Sequence, residues 1–230
     1  MGKPIQFYCN NDKQNVLRIF VIRHGQTAEN MNKVLQGHKD TSLNETGYEQ
    51  ADKLGSYLVN EQDIKFDKVI CSDLKRCQQT IKQILGHYDE HNRPEVELTY
   101  RLRERFLGPI EGMVLENAEK YATANGKGSF KDFGEQLDKF ETRIVSKVKE
   151  VVGECQNMKN IALITHGGSI RQLLKSLNYN DIPIHKVTVF NTSVTIIDYI
   201  KDSSTFEVRR VGNTQHLGDG LFIVNDSRLR

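Results

Sequence analysis

Three short apolar runs each stop abruptly at polar chemistry, and this repeated design constrains the fold more than any other feature of the chain. Residues 17–23 carry Ile19, Phe20, Val21 and Ile22 and end in Arg23-His24-Gly25. Lys68–Cys71 runs into Ser72-Asp73-Leu74-Lys75-Arg76, and Ile161–Thr165 runs into His166-Gly167-Gly168. β-Branched runs of this length read as strands buried on both faces. Helical patterns separate them. They cover Asn44–Asn60 with Asn44 as N-cap, Ser72 or Asp73 (as N-cap) to Leu85, Val114–Asn125, 130–155, and Gly167 or Gly168 to Leu177. In the long helix at 130–155, Phe133, Leu137, Phe140, Ile144, Val148 and Val151 recur at helical spacing. A short strand at Val96–Leu98 precedes the loop Leu102–Gly112, and the C-terminal part offers strands at Val187–Phe190, Val194–Ile200 and Phe206–Val211.

Strands alternating with helices imply a three-layer α/β/α fold with a mostly parallel central sheet. The 230 residues suffice for one such domain spanning 1–230, with a small helical cap inserted at about 105–156. Ligands of open α/β sheets bind outside the carboxyl ends of the strands. If the three strands are neighbours, two histidines and two arginines meet at one spot.

Composition removes other classes. Basic and acidic residues nearly balance, at 32 against 30, and no basic stripe with interleaved aromatics occurs, so nucleic acid is not the expected partner. No stretch approaches the roughly 20 apolar residues of a membrane span. The first residues, Met-Gly-Lys-Pro-Ile-Gln, lack the apolar core of a secretory signal. Cys9, Cys71, Cys77 and Cys155 are scattered without metal-binding spacing, as in a reducing compartment. The expectation is a cytoplasmic protein that can also enter the nucleus, with no membrane partner.

Each candidate residue has an ordinary reading beside a chemical one. His24 could simply close a strand, but a histidine beside a fixed cation is biased toward its neutral, nucleophilic form, and Arg23 would draw a phosphate to it. Gly167 and Gly168 open a helix at His166, where backbone N–H groups and the helix dipole favour an anion. Arg76 sits in a first helical turn, where its charge opposes the dipole unless an anion is bound; a plain surface arginine is the alternative. Glu104, within Arg103-Glu104-Arg105, is either part of a solvated charge cluster or a general acid.

Arg23-His24-Gly25-Gln26-Thr27 with Asn30 resembles the signature of the histidine phosphatase superfamily, the phosphoglycerate-mutase-like family. So do Gln36-Gly37, Asp40, Leu43 and Gly47, the segment Ser72 to Arg76 with Gln79-Thr80, Leu102-Arg103-Glu104 with Glu111-Gly112, and His166-Gly167-Gly168. These motifs span residues 18 to 191 in the family's order. The resemblance implies that His24 becomes phosphorylated and that Arg23, Arg76 and His166 bind the transferring phosphoryl group, His166 as a donor. It implies Glu104 as proton donor, and Asn30, Gln36, Gly37 and Gly167 as further substrate contacts. It also implies small phosphorylated metabolites as substrates, a homo-oligomer as one assembly the family uses, and no cofactor. Four basic groups can do a metal's work on the phosphate, and no carboxylate cluster suited to Mg²⁺ stands in the sequence.

The family contains phosphatases and mutases. Its mutases usually carry Trp before the motif's Asn, where this chain has Glu29, and the chain has no Trp. With the loop 102–112, this favours a broad-specificity phosphomonoesterase over a bisphosphoglycerate-dependent mutase or a fructose-2,6-bisphosphatase-type enzyme. Cysteine-phosphatase chemistry needs five residues between Cys and Arg, and Cys71 and Arg76 are separated by four. No phosphate-binding loop of the Gly-x-x-x-x-Gly-Lys-Ser/Thr type occurs, which excludes a P-loop kinase. Substrate choice is expected to lie with a rim at about residues 105–135 together with His38 and Lys39. Arg103, Arg105, Lys127 and Lys131 are there either contacts to a second anionic group or solvated surface charge, the latter being the expectation for the two lysines.

Overall fold

A computed structural model describes residues 10–218. Cys9, the irregular reading of residues 1–9 and the tail after Gly218 lie outside the described residues. The elements in chain order are β1 (Val16–Arg23), α1 (Ala28–Met31), α2 (Glu45–Ser56), β2 (Lys68–Ser72), α3 (Lys75–Leu85), β3 (Glu95–Thr99), α4 (Leu115–Ala124), α5 (Leu137–Glu154), β4 (Asn160–Thr165), α6 (Gly167–Ser176), β5 (Val194–Ile200) and β6 (Thr205–Asn213), with a π-helical turn at Tyr57–Glu61 after α2 and short 3-10 turns between later elements.

The six strands form one sheet in the order β3-β2-β4-β1-β5-β6. β3, β2, β4 and β1 run parallel, and β5 and β6 are antiparallel additions on the far side. β4 inserts between β2 and β1, so the carboxyl ends of all three chemistry-bearing strands are neighbours. Arg23 is in register with Thr165, and Cys71 with Ile164. Every residue of β4 is buried. Burial on both faces is why the central strands read as unbroken apolar runs rather than alternating ones.

Two apolar layers sandwich the sheet. On one face Leu17, Ile19, Val21 and Leu163 pack against Phe140, Ile144, Val148 and Val151 of α5 and Ile170, Leu173 and Leu174 of α6. On the other, Phe20, Ile22, Ala162 and Ile164 meet Leu54 of α2 and Cys77, Ile81 and Ile84 of α3. The stretch 105–156 divides between two roles. α5 belongs to the main layer, whereas Ile110 and Ala118, with Leu107, Met113, Tyr121, Phe130 and Phe133 packed against them, form a separate small cluster around Leu35.

Three sequence expectations change. The helix expected over 130–155 begins only at Leu137. Gly134 has φ +72° and approaches so closely that a Cβ there would lie 2.1 Å from the Phe106 carbonyl oxygen. Glu135 N donates to that same carbonyl, so the chain is held extended against the loop after Glu104 instead of coiling. Phe133, on the helical face by spacing, packs in the small cluster instead. Second, Val187–Phe190 is not a strand; the Val189 carbonyl accepts from Arg23 Nη1. Third, neither Ser72 nor Asp73 caps α3. Its N-cap is Leu74, which makes no side-chain cap bond. Asp40 Oδ1 accepts the Lys75 N–H at 2.7 Å, while Ser72 and Asp73 are bonded to His166 and Arg103.

Candidate active site

All nine sequence-derived site residues line one cavity of about 380 Å³ at the carboxyl edge of the sheet. Arg23 and His24 are delivered by the end of β1, Arg76 by α3, and His166 and Gly167 by the end of β4 and the start of α6.

His24 is buried at the cavity floor. Its Nδ1 lies 2.7 Å from the Gly25 carbonyl oxygen, a contact only an Nδ1–H can make favourably, so Nε2 keeps the lone pair. Burial, then Arg76 and Arg23, hold the ring well below the ordinary histidine pKa, against the Gly25 bond. Its main chain is clamped too. The His24 carbonyl accepts from Asn191 Nδ2 at 3.0 Å and from the Thr192 N–H, and the His24 N–H donates to Thr165 O.

Arg76 is among the largest fully buried side chains. Its Nε donates to His166 Nδ1 at 3.2 Å, Nη1 to the Lys39 carbonyl at 2.8 Å and Nη2 to the Gly37 carbonyl at 2.9 Å. The loop 37–41 thus fixes the guanidinium, and Gly37 contributes by its carbonyl. The His166 ring lies 5.1 Å from that of His24, tilted by 58°. Burial, Arg76 and the neighbouring basic groups hold His166 well below its ordinary pKa. Both of its nitrogens are engaged: Nδ1 accepts from Arg76, and Nε2 donates to Ser72 Oγ at 2.9 Å. With both nitrogens so engaged, the bonds His166 makes in this structure run to Arg76 and Ser72 rather than toward the cavity.

Asn30 Oδ1 accepts from Thr27 N, Thr27 Oγ1 and Asn191 Nδ2. Three donors on one oxygen fix the amide's orientation and leave its NH₂ as the group for the cavity. Gln36 Oε1 accepts from Thr41 Oγ1 at 2.7 Å, which fixes that amide in the same way. Glu104 has Oε1 on the Arg105 N–H and Oε2 on the Gly168 N–H, at 2.9 and 2.8 Å. A Cβ on residue 168 would lie 2.2 Å from Glu104 Oε1, so only glycine admits the carboxylate this close to the start of α6.

The family model for the histidine phosphatase superfamily (branch 1) matches residues 19–214. The chain belongs to that superfamily. It is 56% identical over 232 residues to a broad-specificity phosphatase of Saccharomyces cerevisiae, with 100% of both chains covered. It is 32% identical to phosphoglycerate mutase-like protein 4 of Arabidopsis thaliana, covering 89% of each. Among solved structures, a phosphoglycerate mutase from Bacillus anthracis superposes with a TM-score of 0.76 at 28% identity, covering 88% of this chain and 96% of that one.

The rim matches the sequence expectation in part: Arg105, Leu107, Phe130 and Lys131 of the 105–135 stretch line the cavity. Arg103 does not line the cavity; its guanidinium forks onto Asp73, with both bonds at 2.7 Å. His38, Lys39 and Lys127 are also outside the lining. Arg105 lines it, but its Nε and Nη2 donate to the carbonyls of Glu135, Lys131 and Phe133. Lys131 does reach the cavity, joined by Arg171, Gln172, Lys175 and His185, which the sequence reading missed. Their signal was present: Gly168, Arg171, Gln172 and Lys175 stand at i, i+3, i+4 and i+7 on the helix that His166 opens. Between floor and rim the wall is apolar, from Val34, Leu35, Leu107, Phe130, Leu137, Phe140 and Ile184.

Cys71 is fully buried, outside the lining, and burial raises its thiol pKa well above the usual range. A thiolate nucleophile has no support there. Among the described residues no helix is long and apolar enough to cross a membrane, and no group of three or more His, Cys, Asp or Glu could hold a metal ion.

Proposed function

We propose that this chain hydrolyses small phosphomonoesters of broad structural range through a phosphohistidine on His24. The observation that carries this reading is the state of His24: a neutral ring with Nδ1–H spent on Gly25 O and a lone pair on Nε2, beside two buried arginines. Its likeness to the yeast broad-specificity phosphatase supports phosphatase over mutase.

Phosphoryl transfer is mostly positioning and charge stabilisation. His24 Nε2 attacks phosphorus in line, the P–N bond forms, and the P–O ester bond breaks with its electron pair on the leaving oxygen. Arg23 and Arg76 neutralise the equatorial oxygens. His166 stabilises the transition state by keeping Arg76 aimed, and the amides of Asn30 and Gln36 and the Gly167 backbone complete the cradle. Glu104 gives a proton to the leaving alkoxide. It then takes one from the water that attacks phosphorus, the P–N bond breaks, and orthophosphate leaves with His24 restored. The free thiols of Cys71, Cys77 and Cys155 support a reducing, cytoplasmic setting.

The test is to quench the enzyme in alkali during turnover of a ³²P-labelled monoester. The expected result is base-stable, acid-labile label on the His24 peptide, none in His24→Ala, and steady release of inorganic phosphate. Efficient bisphosphoglycerate-dependent exchange between 2- and 3-phosphoglycerate would overturn the phosphatase reading in favour of a mutase.

A further inference from the structure

Arg143, on the second turn of α5, makes no contact with the cavity floor, yet it organises the loop that carries Glu104. Its Nη1 donates to the carbonyls of Tyr100, Arg101 and Arg103, at 3.3, 3.0 and 3.1 Å, and its Nη2 donates to the Glu104 carbonyl at 3.1 Å. Tyr100–Leu102 is a 3-10 turn closed by the Arg103 N–H on the Tyr100 carbonyl, and the end of such a turn turns its carbonyls outward, where a side chain can reach them. One guanidinium collects them together with the carbonyl of Glu104 itself.

The guanidinium is in turn held from the opposite side. Glu135 accepts from Arg143 Nε at 2.8 Å and from Nη2 at 2.7 Å, a fork geometry that fixes the plane of the group. Its Cζ also lies 5.2 Å from the centre of the Phe140 ring, over the ring face, and Phe140 lines the cavity. Glu135 is itself tied to the far side of the Glu104 loop, its N–H donating to the Phe106 carbonyl at 2.8 Å. The main chain is thus gripped before and at Glu104 by Arg143, and after it by the main chain of the residue that Arg143 pairs with. Other groups touch the same backbone: His38 Nε2 lies 2.8 Å from the Glu104 carbonyl, and Ser169 Oγ donates to the Arg103 carbonyl at 3.1 Å. Neither bridges both sides of the acid.

We infer that Arg143 is a positioning residue for the reaction: it fixes the backbone around Glu104 so that the carboxyl is presented to the leaving oxygen. This rests on the reading of Glu104 as the proton donor. An arginine that merely stabilised the fold would affect all substrates alike. One that positions an acid affects most the esters whose leaving group needs a proton. Nitrophenyl phosphate departs as a stable phenolate, whereas an alkyl phosphate such as glycerol phosphate departs as a strongly basic alkoxide.

The experiment compares kcat for these two esters in wild type, Arg143→Met, Arg143→Lys, Glu104→Gln and the double variant Glu104→Gln/Arg143→Met, with thermal melts and inhibition by inorganic phosphate alongside. Glu104→Gln is expected to lose more on the alkyl than on the nitrophenyl ester. Arg143→Met is expected to show the same selectivity, losing at least about tenfold more on the alkyl ester. Its phosphate inhibition constant should stay within about twofold of wild type, because the guanidinium does not touch the phosphate cradle. The double variant should be no worse than Glu104→Gln alone, since both changes remove one function. If Arg143→Met does not fold, Arg143→Lys and Glu135→Gln carry the same comparison, with the same selective loss expected. Equal loss on both esters in the Arg143 variants, with selective loss in Glu104→Gln, overturns the role of Arg143 alone. Full activity of Glu104→Gln on both esters overturns the acid assignment beneath it.

Discussion

His24 shows how much of a residue's chemistry is set by its immediate bonds. Neither burial nor charge alone fixes which ring nitrogen keeps the lone pair; the Gly25 carbonyl selects the tautomer, and the His24 carbonyl is pinned by Asn191 and Thr192. Asn191 also helps orient the Asn30 amide. Asn191→Ala should therefore weaken substrate binding and turnover together, with kcat/KM falling by about 10- to 100-fold, the scale of one or two buried hydrogen bonds. Steady-state kinetics with a nitrophenyl ester would measure this, and an unchanged kcat/KM would contradict it. Gly168→Ala makes a different prediction. The Cβ would collide with Glu104 Oε1, the far end of a flexible side chain, so the carboxylate moves and the fold survives. The expected outcome is a melting temperature within a few degrees of wild type and a selective loss on alkyl esters. A variant that unfolds, or that loses equally on both ester classes, would contradict it.

At the scale of elements, the helices are set by packing and the site by what lies at their ends. α3 lacks a local cap, and Asp40, from the loop whose carbonyls hold Arg76, takes the Lys75 N–H instead. Asp40→Ala should cost about 1 kcal/mol of stability, the usual worth of an N-cap. It should also raise KM, because loop 37–41 loses its anchor to the helix that carries Arg76. Chemical denaturation and kinetics on one preparation would check both, and loss of stability with an unchanged KM would break the proposed link. The same logic explains which element boundaries were legible. Asn44 was readable as the α2 cap because its partner, the Gly47 N–H, is local in sequence. The start of α5 was not, because it is decided by Gly134 and Glu135 meeting Phe106 across the cap.

For the whole molecule, the buried neutral histidines tie stability to pH. His24 and His166 are held well below the ordinary value, and His216 is pushed down to about 3 by burial and then by Lys53. Protons therefore bind the unfolded chain more readily than the folded one below about pH 6.5, the ordinary histidine value. The stabilisation is complete above that pH and is lost as pH falls toward the folded-state values. A depressed histidine contributes at most about 1.4 kcal/mol per pH unit once the unfolded form is protonated, so stability should fall between pH 7.5 and 5.5, with His24 and His166 both contributing to the fall. His216 acts in the same direction. Denaturant unfolding across that range would measure it. In a His24→Gln/His166→Gln variant the slope should shrink, and a slope equal to wild type would contradict the assignment.

The sequence by itself determined the layer architecture and which residues meet at the cavity floor, but not the rim around it. Apolar runs broken at Arg23-His24, at Ser72 to Arg76 and at His166-Gly167-Gly168 encode parallel strands ending in chemistry, and this information is local in the chain. Only the tertiary structure decided what those residues are bonded to. Whether His166 faces phosphate or holds Arg76, whether Arg103 lines the rim or pairs with Asp73, and what steadies Glu104 depend on contacts between segments distant in sequence. A side chain's partner is chosen by geometry that forms only when the layers close, and periodicity and spacing carry no record of it.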